Sequence, residues 1–310
     1  MCRDTCGDTI ARTVDGLPES GKLQLIDKIE LFTGGCAASA AIDMAKLGLN
    51  AAIIGKVGND GFGQFMSAAL MKERVNVEGL IMDEALGTSA SIATVDSNGE
   101  RSFLHYIGAN AEFGIDDINY KIIRDSRIVF VAGTMLMPRF DGVQCADFLK
   151  KTRDMGKYTV LDTAWDSKGR WMNVLEPCMK YIDLFIPSME EAAMLSGKND
   201  PEEMADTFLA MGVKTVVIKL GKKGCFIKNP DGGKYLIPTY TKIKAIDTTG
   251  AGDSFAAGFL TGLTKGWDLY ECGKFANAVG THCIMAAGAS TGIRSLEETI
   301  RFMENNEIRE

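Results

Sequence analysis

The chain has 310 residues, enough for one large α/β domain or two smaller ones, and 46% of them are hydrophobic, as expected for an ordinary soluble core. Its formal net charge of -7 argues against nonspecific binding to nucleic acid or to a membrane surface. The eight cysteines are scattered and only two histidines occur, so we expect reduced thiols in a cytoplasmic protein and no zinc site, even near Cys2 and Cys6. No apolar run approaches the roughly 20 residues that span a bilayer.

The first third of the chain contains two regions that are typical of half-exposed β structure. Residues 22–32 alternate between apolar and polar, and two strand-like runs within 89–106 flank the turn dipeptide Asn98-Gly99. Between these regions, an alanine-rich helix is predicted at 37–47, followed by a strand at 51–54 and a glycine-rich loop. The segment contains neither a GxGxxG fingerprint nor a Walker A sequence.

From residue 115 onward, apolar strands alternate with segments of helix length, which indicates a parallel sheet covered on both faces. The predicted strands are 128–132, 158–161, 184–186 and 215–218. Ligand sites in such sheets lie beyond the carboxyl ends of the strands, here near Gly133, Asp162, Ser188 and Gly221. Since no linker or low-complexity tract divides the chain, we expect one domain over residues 1–310.

The run DTTGAGDSF at 247–255 is typical of an anion-binding helix start. Gly250, Ala251 and Gly252 carry little or no side chain, so their amides could approach an anion at the positive end of the following helix. Asp253 lies in the first helical turn, beside this pocket, where it could take the proton of an acceptor hydroxyl during phosphoryl transfer. A capped helix start without catalytic function is the alternative, because acidic first turns are common.

As a unit, this run closely resembles the second signature of the ribokinase-like (PfkB) carbohydrate kinases, and the segment 31–65 resembles the first. The resemblance implies a three-layer α/β/α fold with a mostly parallel central sheet. It also implies a small β-sheet lid, formed by about 10–33 and 87–107. In that family the counterpart of Asp253 is the catalytic base, and the counterparts of Gly250, Ala251 and Gly252 form the anion hole.

The resemblance also implies binding residues for a sugar and for ATP. Asp8, Gly34 and Gly35 match sugar-binding positions, together with Asp253. Ser39 stands where the family usually has a sugar-binding Asn, so the sugar preference of other members cannot be transferred. The nucleotide would be held by loops at both sides of the helix start, namely Lys219, Gly221, Gly224, Thr249, Gly250, Gly252, Gly288 and Ala289.

Two acidic residues match metal-associated positions of the family. Glu191, in a segment resembling the family's PNxxE motif with Ser188 in place of the Asn, is expected to organise Mg²⁺ through water. The same pair also fits a helix capping box. Asp247 matches a position near a monovalent-cation site, for an ion such as K⁺, and this transfer is the weaker one.

The sequence therefore predicts an ATP-dependent sugar kinase that transfers the γ-phosphoryl group of MgATP to a hydroxymethyl group of a small carbohydrate. A nucleoside kinase of the same fold and a non-catalytic sugar-binding regulator stay open as alternatives. An unphosphorylated sugar is the favoured acceptor. Exposed lid strands often pair between subunits, so a homodimer through the lid is a further expectation.

Overall fold

The structure is a computed structural model that describes residues 5–98, 100–240 and 242–308. Gly99, the second residue of the predicted hairpin turn, and Cys2 lie outside the described residues. The rest of the chain forms a large layered body and a four-stranded sheet, called here the small sheet.

The large body is centred on a six-stranded sheet whose strands are almost continuously apolar. In chain order they are β7 (Ile128–Thr134), β8 (Tyr158–Thr163), β9 (Leu184–Phe185), β10 (Thr215–Lys219), β11 (Cys225–Lys228) and β12 (Lys234–Ile237). Strands β7 to β10 are parallel, and β11 and β12 complete one edge in antiparallel fashion. A parallel pair, β3 (Ala52–Gly58) and β4 (Asn76–Asp83), forms a separate two-stranded sheet.

Helices cover the central sheet on both faces. In chain order they are α1 (Cys36–Lys46), α2 (Gly61–Lys72), α3 (Tyr120–Asp125), α4 (Val143–Asp154), α5 (Met172–Met179), α6 (Met189–Ser196), α7 (Pro201–Ala210), α8 (Ala251–Thr264), α9 (Leu269–Ile284) and α10 (Leu296–Asn305). Val129 and Val131 of β7 join a core with α4 to α7, whereas Phe130 and Ala132 join a core with α1, α2, α8 and α9. Because successive side chains of a strand point to opposite faces, both faces are buried, and the predicted three-layer α/β/α fold is confirmed.

The small sheet has the strand order β2-β1-β5-β6. Its strands are β1 (Cys6–Arg12), β2 (Lys28–Gly34), β5 (Ala90–Val95) and β6 (Arg101–Tyr106). One face turns toward the large body, since a Cβ atom on Gly288 would lie 2.8 Å from the ring of Phe32. The opposite face carries exposed apolar residues, among them Leu31, Ile92 and Leu104.

Two boundaries in the small sheet differ from the sequence-based expectation. The alternation from residue 22 suggested an earlier start, but β2 begins at Lys28 because its partner strand ends at Arg12, which pairs with Lys28. Residues 1–7 lack an apolar run, so the sequence predicts only a short strand before Asp8. Asp8 lies inside β1, which has paired strands on both sides, so backbone hydrogen bonds form this strand despite its few apolar residues.

Candidate active site

The candidate site is built around the start of α8, which follows a left-handed turn. Gly250 precedes the helix at φ 76°, and a Cβ atom there would lie within 2.6 Å of Ala289, so both conformation and space favour glycine. The Ala251 amide donates to the carbonyl of Thr248 at 3.2 Å. By contrast, the described residues offer no acceptor to the amides of Gly250 and Gly252. These two free donors at a helix N-terminus are suited to an anion.

Asp253 lies in the first turn of α8, surrounded by charged and polar groups from three other elements. Burial raises the pKa of its carboxyl group well above the usual range, and the charges of Asp162 and Asp43 act in the same direction. The positive charge of Lys219 and a hydrogen bond from the Cys36 thiol oppose this rise in the pKa. A carboxylate with a raised pKa accepts a proton more readily, as a general base requires.

A buried ion pair lies next to this helix start. Lys219, the last residue of β10, places its ammonium 2.6 Å from Oδ2 of Asp162, near the end of β8. A Cβ atom on Gly252 would lie only 3.3 Å from the Lys219 ammonium. The resemblance gives Lys219 as a nucleotide-binding residue. Its side chain extends toward the start of α8, an arrangement that depends on how the parallel strand ends meet in three dimensions.

Glu191 combines a structural role with one free carboxylate oxygen. Its Oε2 atom accepts hydrogen bonds from the Ser188 amide at 2.9 Å and the Thr163 hydroxyl at 3.1 Å, and Ser188 caps α6 in return. The capping box predicted as an alternative is therefore present. No described group donates to Oε1, so this oxygen can accept a hydrogen bond from a metal-bound water.

Asp247 connects two of the predicted nucleotide-binding segments. Its Oδ1 atom accepts from the Thr249 amide at 2.9 Å, and Oδ2 accepts from the Gly288 amide at 3.1 Å. The adjacent Ala289 is buried against Gly250. The described residues contain no group of three or more side chains that could hold a metal ion by themselves.

The loop after β10 forms the other side of the predicted nucleotide site. Gly221 has a φ of 56°, and Gly224 has a φ of 94°. A Cβ atom on Gly224 would lie 2.0 Å from the carbonyl oxygen of Ile237, so the tight hairpin to β11 requires glycine. No backbone hydrogen bond among the described residues joins Gly221 or Gly224 to the helix start.

The predicted sugar residues lie between the small sheet and α1. Asp8 accepts a hydrogen bond from the Cys6 thiol at 3.2 Å, and a Cβ atom on Gly34 would lie 2.0 Å from the carboxylate of Asp8. Burial raises the pKa of Asp8, although hydrogen bonds from Cys6 and Ser91 oppose the rise. A cavity of about 60 Å³ is lined by Asp8, Ile10, Ser91, Ala93, Val95, Phe103 and Thr249, which brings Asp8 close to the segment before α8.

Gly35 and Ser39 complete the predicted sugar-binding set. Gly35 has a φ of 89° and caps α1, so it turns the chain between β2 and the helix. Ser39 lies one turn into α1 and is 1% exposed, so the helix and its neighbours enclose it almost completely. Cys36, which was not among the predicted site residues, donates a thiol hydrogen bond to Asp253. The sequence feature that could have indicated Cys36 as a site residue is its position directly after Gly34-Gly35.

No helix among the described residues is long and apolar enough to cross a bilayer.

The chain is similar to known proteins over most of its length. A model of the pfkB family carbohydrate kinases matches residues 2–296. An uncharacterized sugar kinase of Archaeoglobus fulgidus is 32% identical over 250 residues, which cover 81% of this chain and 97% of the relative. A 5-dehydro-2-deoxygluconokinase of Clostridium perfringens is 27% identical over 288 residues, 88% of this chain and 84% of its own. The crystal structure of a Thermotoga maritima ribokinase has a TM-score of 0.84 and 27% identity, with 98% of both chains covered.

The family match spans the small sheet, the central sheet and the helix start at Gly250, so it covers every part of the candidate site. The relatives are sugar kinases, which transfer a phosphoryl group to an alcohol. The predicted enzyme class is thereby confirmed, and the chain belongs to the pfkB family of carbohydrate kinases.

Proposed function

We propose that this enzyme transfers the γ-phosphoryl group of MgATP to a hydroxymethyl group of a small sugar, with Asp253 as the base. The observation that carries the proposal is the geometry of one turn. Asp253 lies beside the unpartnered amides of Gly250 and Gly252, so a proton acceptor and an anion site adjoin each other. Phosphoryl transfer needs the proton acceptor next to the anion site, because its catalysis depends on positioning the reactants and on stabilising the charge of the transferring group.

In this mechanism Asp253 takes the proton of the acceptor hydroxyl as its oxygen attacks the γ-phosphorus atom. The bond between that phosphorus and the bridging oxygen breaks, and its electron pair stays on ADP. The amides of Gly250 and Gly252 stabilise the charge on the transferring group, and Ala251 contributes to the turn through its bond to Thr248. Mg²⁺, when bound, neutralises phosphate charge, and Oε1 of Glu191 would hold one of its waters.

The nucleotide would lie across the carboxyl end of the central sheet. The segments after β10 and around Gly288 and Ala289 supply its walls, and Thr249 lies where the sugar and nucleotide sites meet. Both carboxylate oxygens of Asp247 already accept amide hydrogen bonds, so binding of a monovalent cation such as K⁺ is the less favoured role of this residue. Its support of the turn follows directly from these bonds.

We assign the sugar to the space between the small sheet and the start of α8. Asp8 would accept hydrogen bonds from sugar hydroxyls, and Gly34 and Gly35 let the backbone approach closely. The small sheet would act as a lid that excludes water, so that the phosphoryl group reaches the sugar instead of water. An unphosphorylated sugar fits the described lining of the cavity, which contains no cationic side chain.

The test is ADP release from MgATP across a panel of free sugars, sugar phosphates and nucleosides. We expect one class of acceptor to stimulate release, and Asp253→Asn to lower turnover by about 10³-fold or more while ATP affinity stays nearly unchanged. Asp231→Asn, in an exposed turn between β11 and β12, is the matched control. Wild-type turnover in Asp253→Asn would refute the base assignment. ATP binding without stimulation by any acceptor would favour the regulator alternative.

A further inference from the structure

His105 lies on the face of the small sheet that turns toward the large body, called here the inner face. Strand pairing places Asp8 of β1 opposite Phe32 of β2 and Ser91 of β5. Ser91 in turn pairs with His105 of β6. Side chains of directly opposite residues point to the same face, and the ring of Phe32 lies close to Gly288 of the large body. His105 is therefore on the same side of the sheet as the proposed sugar-binding carboxylate.

A chain of hydrogen bonds connects His105 with Asp8. The Cys6 thiol donates to Oδ1 of Asp8 at 3.2 Å, and the Ser91 hydroxyl is a second donor to the same carboxylate. Nδ1 of His105 lies 3.1 Å from the hydroxyl oxygen of Ser91. A serine hydroxyl has only one proton, and here it is directed to Asp8. Ser91 can therefore only accept the hydrogen bond that joins it to His105.

This chain determines how the imidazole of His105 can interact with a bound molecule. In a neutral ring that donates its proton through Nδ1, the other ring nitrogen, Nε2, is an acceptor. Among the described residues, no group donates a hydrogen bond to Nε2. Since the residue is exposed, this nitrogen is open to a hydroxyl group that comes from a ligand.

Space for a ligand remains between the small sheet and the large body at this point. Phe103, two residues before His105 and on the same face, is 63% exposed although it points inward. The cavity lined in part by Asp8, Ser91 and Phe103 measures about 60 Å³, which holds only a few water molecules. A sugar bound at Asp8 must therefore extend beyond this cavity, and His105 adjoins the cavity at Ser91.

We propose that His105 is a specificity-determining residue for the acceptor, and that its Nε2 accepts a hydrogen bond from a sugar hydroxyl remote from the one that is phosphorylated. The inference rests on the proposed function and deepens it by naming the substrate class. Asp8 and Nε2 of His105 are both acceptors, so this end of the site matches hydroxyl donors and disfavours a phosphate or carboxylate group. The acceptor is then a neutral polyhydroxy sugar whose remote hydroxyl is intact. The attacking hydroxyl still gives its proton to Asp253.

A purely structural role is the competing explanation, because His105 also holds the Ser91 hydroxyl next to Asp8. Two substitutions separate these roles. The side-chain amide in His105→Asn reaches about the position of Nδ1, so this variant keeps a donor to Ser91 but lacks Nε2. His105→Leu removes both groups. If the role is structural, His105→Asn behaves as the wild type, whereas direct contact with the sugar makes it behave as His105→Leu.

The experiment measures kcat/KM for free sugars with MgATP. D-Fructose, D-glucose and D-ribose are compared first, and the best of them is then compared with its monodeoxy analogues. In the wild type we expect the loss of one particular hydroxyl to lower kcat/KM by about 5- to 20-fold, mainly through KM, as for one hydrogen bond. In His105→Asn and His105→Leu this difference should fall to about twofold or less, while the other analogues keep their penalties.

The matched control is Ser102→Ala, on the same strand as His105 but on its opposite face, and it should keep the wild-type pattern. Wild-type discrimination in His105→Asn, or equal weakening of the parent sugar and of all analogues in both His105 variants, would overturn the proposal. If no free sugar stimulates ADP release, the proposed function fails and this inference fails with it. A sugar kinase whose penalties for the missing hydroxyls are the same with and without His105 refutes this inference alone.

Discussion

Asp43 is a buried carboxyl group that contacts the first turn of α8, next to the proposed base. Its Oδ2 atom accepts a 2.6 Å hydrogen bond from Ser254, the residue after Asp253, and Oδ1 is buried without a hydrogen-bond partner within the described chain. Burial raises the pKa of Asp43 to about 7, against hydrogen bonds from Ser254 and Ser290 and the charge of Lys46. Ionising this half-paired group in the folded protein costs free energy, so stability depends on pH.

We predict that Asp43→Asn raises the melting temperature by several degrees at about pH 8 and by clearly less at about pH 5, where only part of the loss caused by Asp43 has developed. The folded-state pKa of about 7 lies above the ordinary 3.8, so the folded protein binds more protons and loses stability as the pH rises through this interval. An amide cannot ionise, so the variant avoids that loss. Thermal unfolding at both pH values measures the difference. Equal shifts at both values would contradict a titrating Asp43.

The same variant reports on the reaction centre. The charge of Asp43 contributes to the raised pKa of Asp253, as does the charge of Asp162. Lys219 and the Cys36 thiol act in the opposite direction and lower this pKa. Removing the Asp43 charge should therefore lower the pKa of Asp253 and move the acidic limb of the pH-rate profile to lower pH. If Asp43 only accepts the hydrogen bond from Ser254 and does not affect the pKa of Asp253, the acidic limb of the pH-rate profile will not move. The profile of Asp43→Asn between about pH 5 and pH 9 distinguishes the two.

At the scale of elements, the junction of β2 and α1 connects the small sheet to the catalytic layer. Gly34 ends β2 against the carboxylate of Asp8, Gly35 turns the chain, and Cys36 begins α1 beside Asp253. A few consecutive residues thus connect the proposed sugar-binding carboxylate with the proposed base. The position of the Asp8 carboxylate depends on the absence of a side chain at Gly34.

We predict that Gly34→Ala raises the KM for the acceptor by about tenfold or more and changes the KM for ATP little. A Cβ atom at this position would lie 2.0 Å from Oδ2 of Asp8, so the carboxylate must move and its hydrogen bond to the sugar is lost. Gly61→Ala is the control, because a Cβ atom at Gly61 meets nothing within 4 Å. Steady-state kinetics with each substrate varied in turn measures the effect. An unchanged acceptor KM would remove Asp8 from the sugar site.

The sequence predicted those elements whose signal is local. Apolar runs placed β7, β8 and β10 to within about two residues, and the glycines before Asp253 placed the start of α8. The small sheet was harder to predict from the sequence, because β1 depends on its neighbours for hydrogen bonds and β2 begins where β1 can pair with it. Strand limits of this kind depend on a partner that lies elsewhere in the chain.

The candidate site shows the same division between local and distant signals. The Gly250 to Asp253 turn is contiguous, so a short motif was enough to indicate it. The contacts around it join residues far apart in sequence: Asp162 and Lys219 are separated by 57 positions, and Asp43 and Ser254 by 211. Only the packing of strand ends and helices brings these pairs together, so no sequence spacing predicts them.

At the scale of the whole molecule, the outward face of the small sheet is the main exposed apolar surface near the site. Pairing across the four strands aligns Leu31, Thr9, Ile92 and Leu104 in one row. Leu31, Ile92 and Leu104 are all exposed, and Ile29 adds to the same face. Contiguous apolar surface of this kind marks an interaction site, and a second copy of the chain offers the same apolar row.

We predict that the enzyme forms a homodimer through this face and that Leu104→Glu raises the dimer dissociation constant by about 30-fold or more. A glutamate at this position would be buried against apolar residues of the partner, which opposes association. Leu236→Glu, at an exposed position on the edge strand β12, is the control. Sedimentation at several protein concentrations measures the equilibrium. A wild-type monomer at all concentrations would refute the dimer.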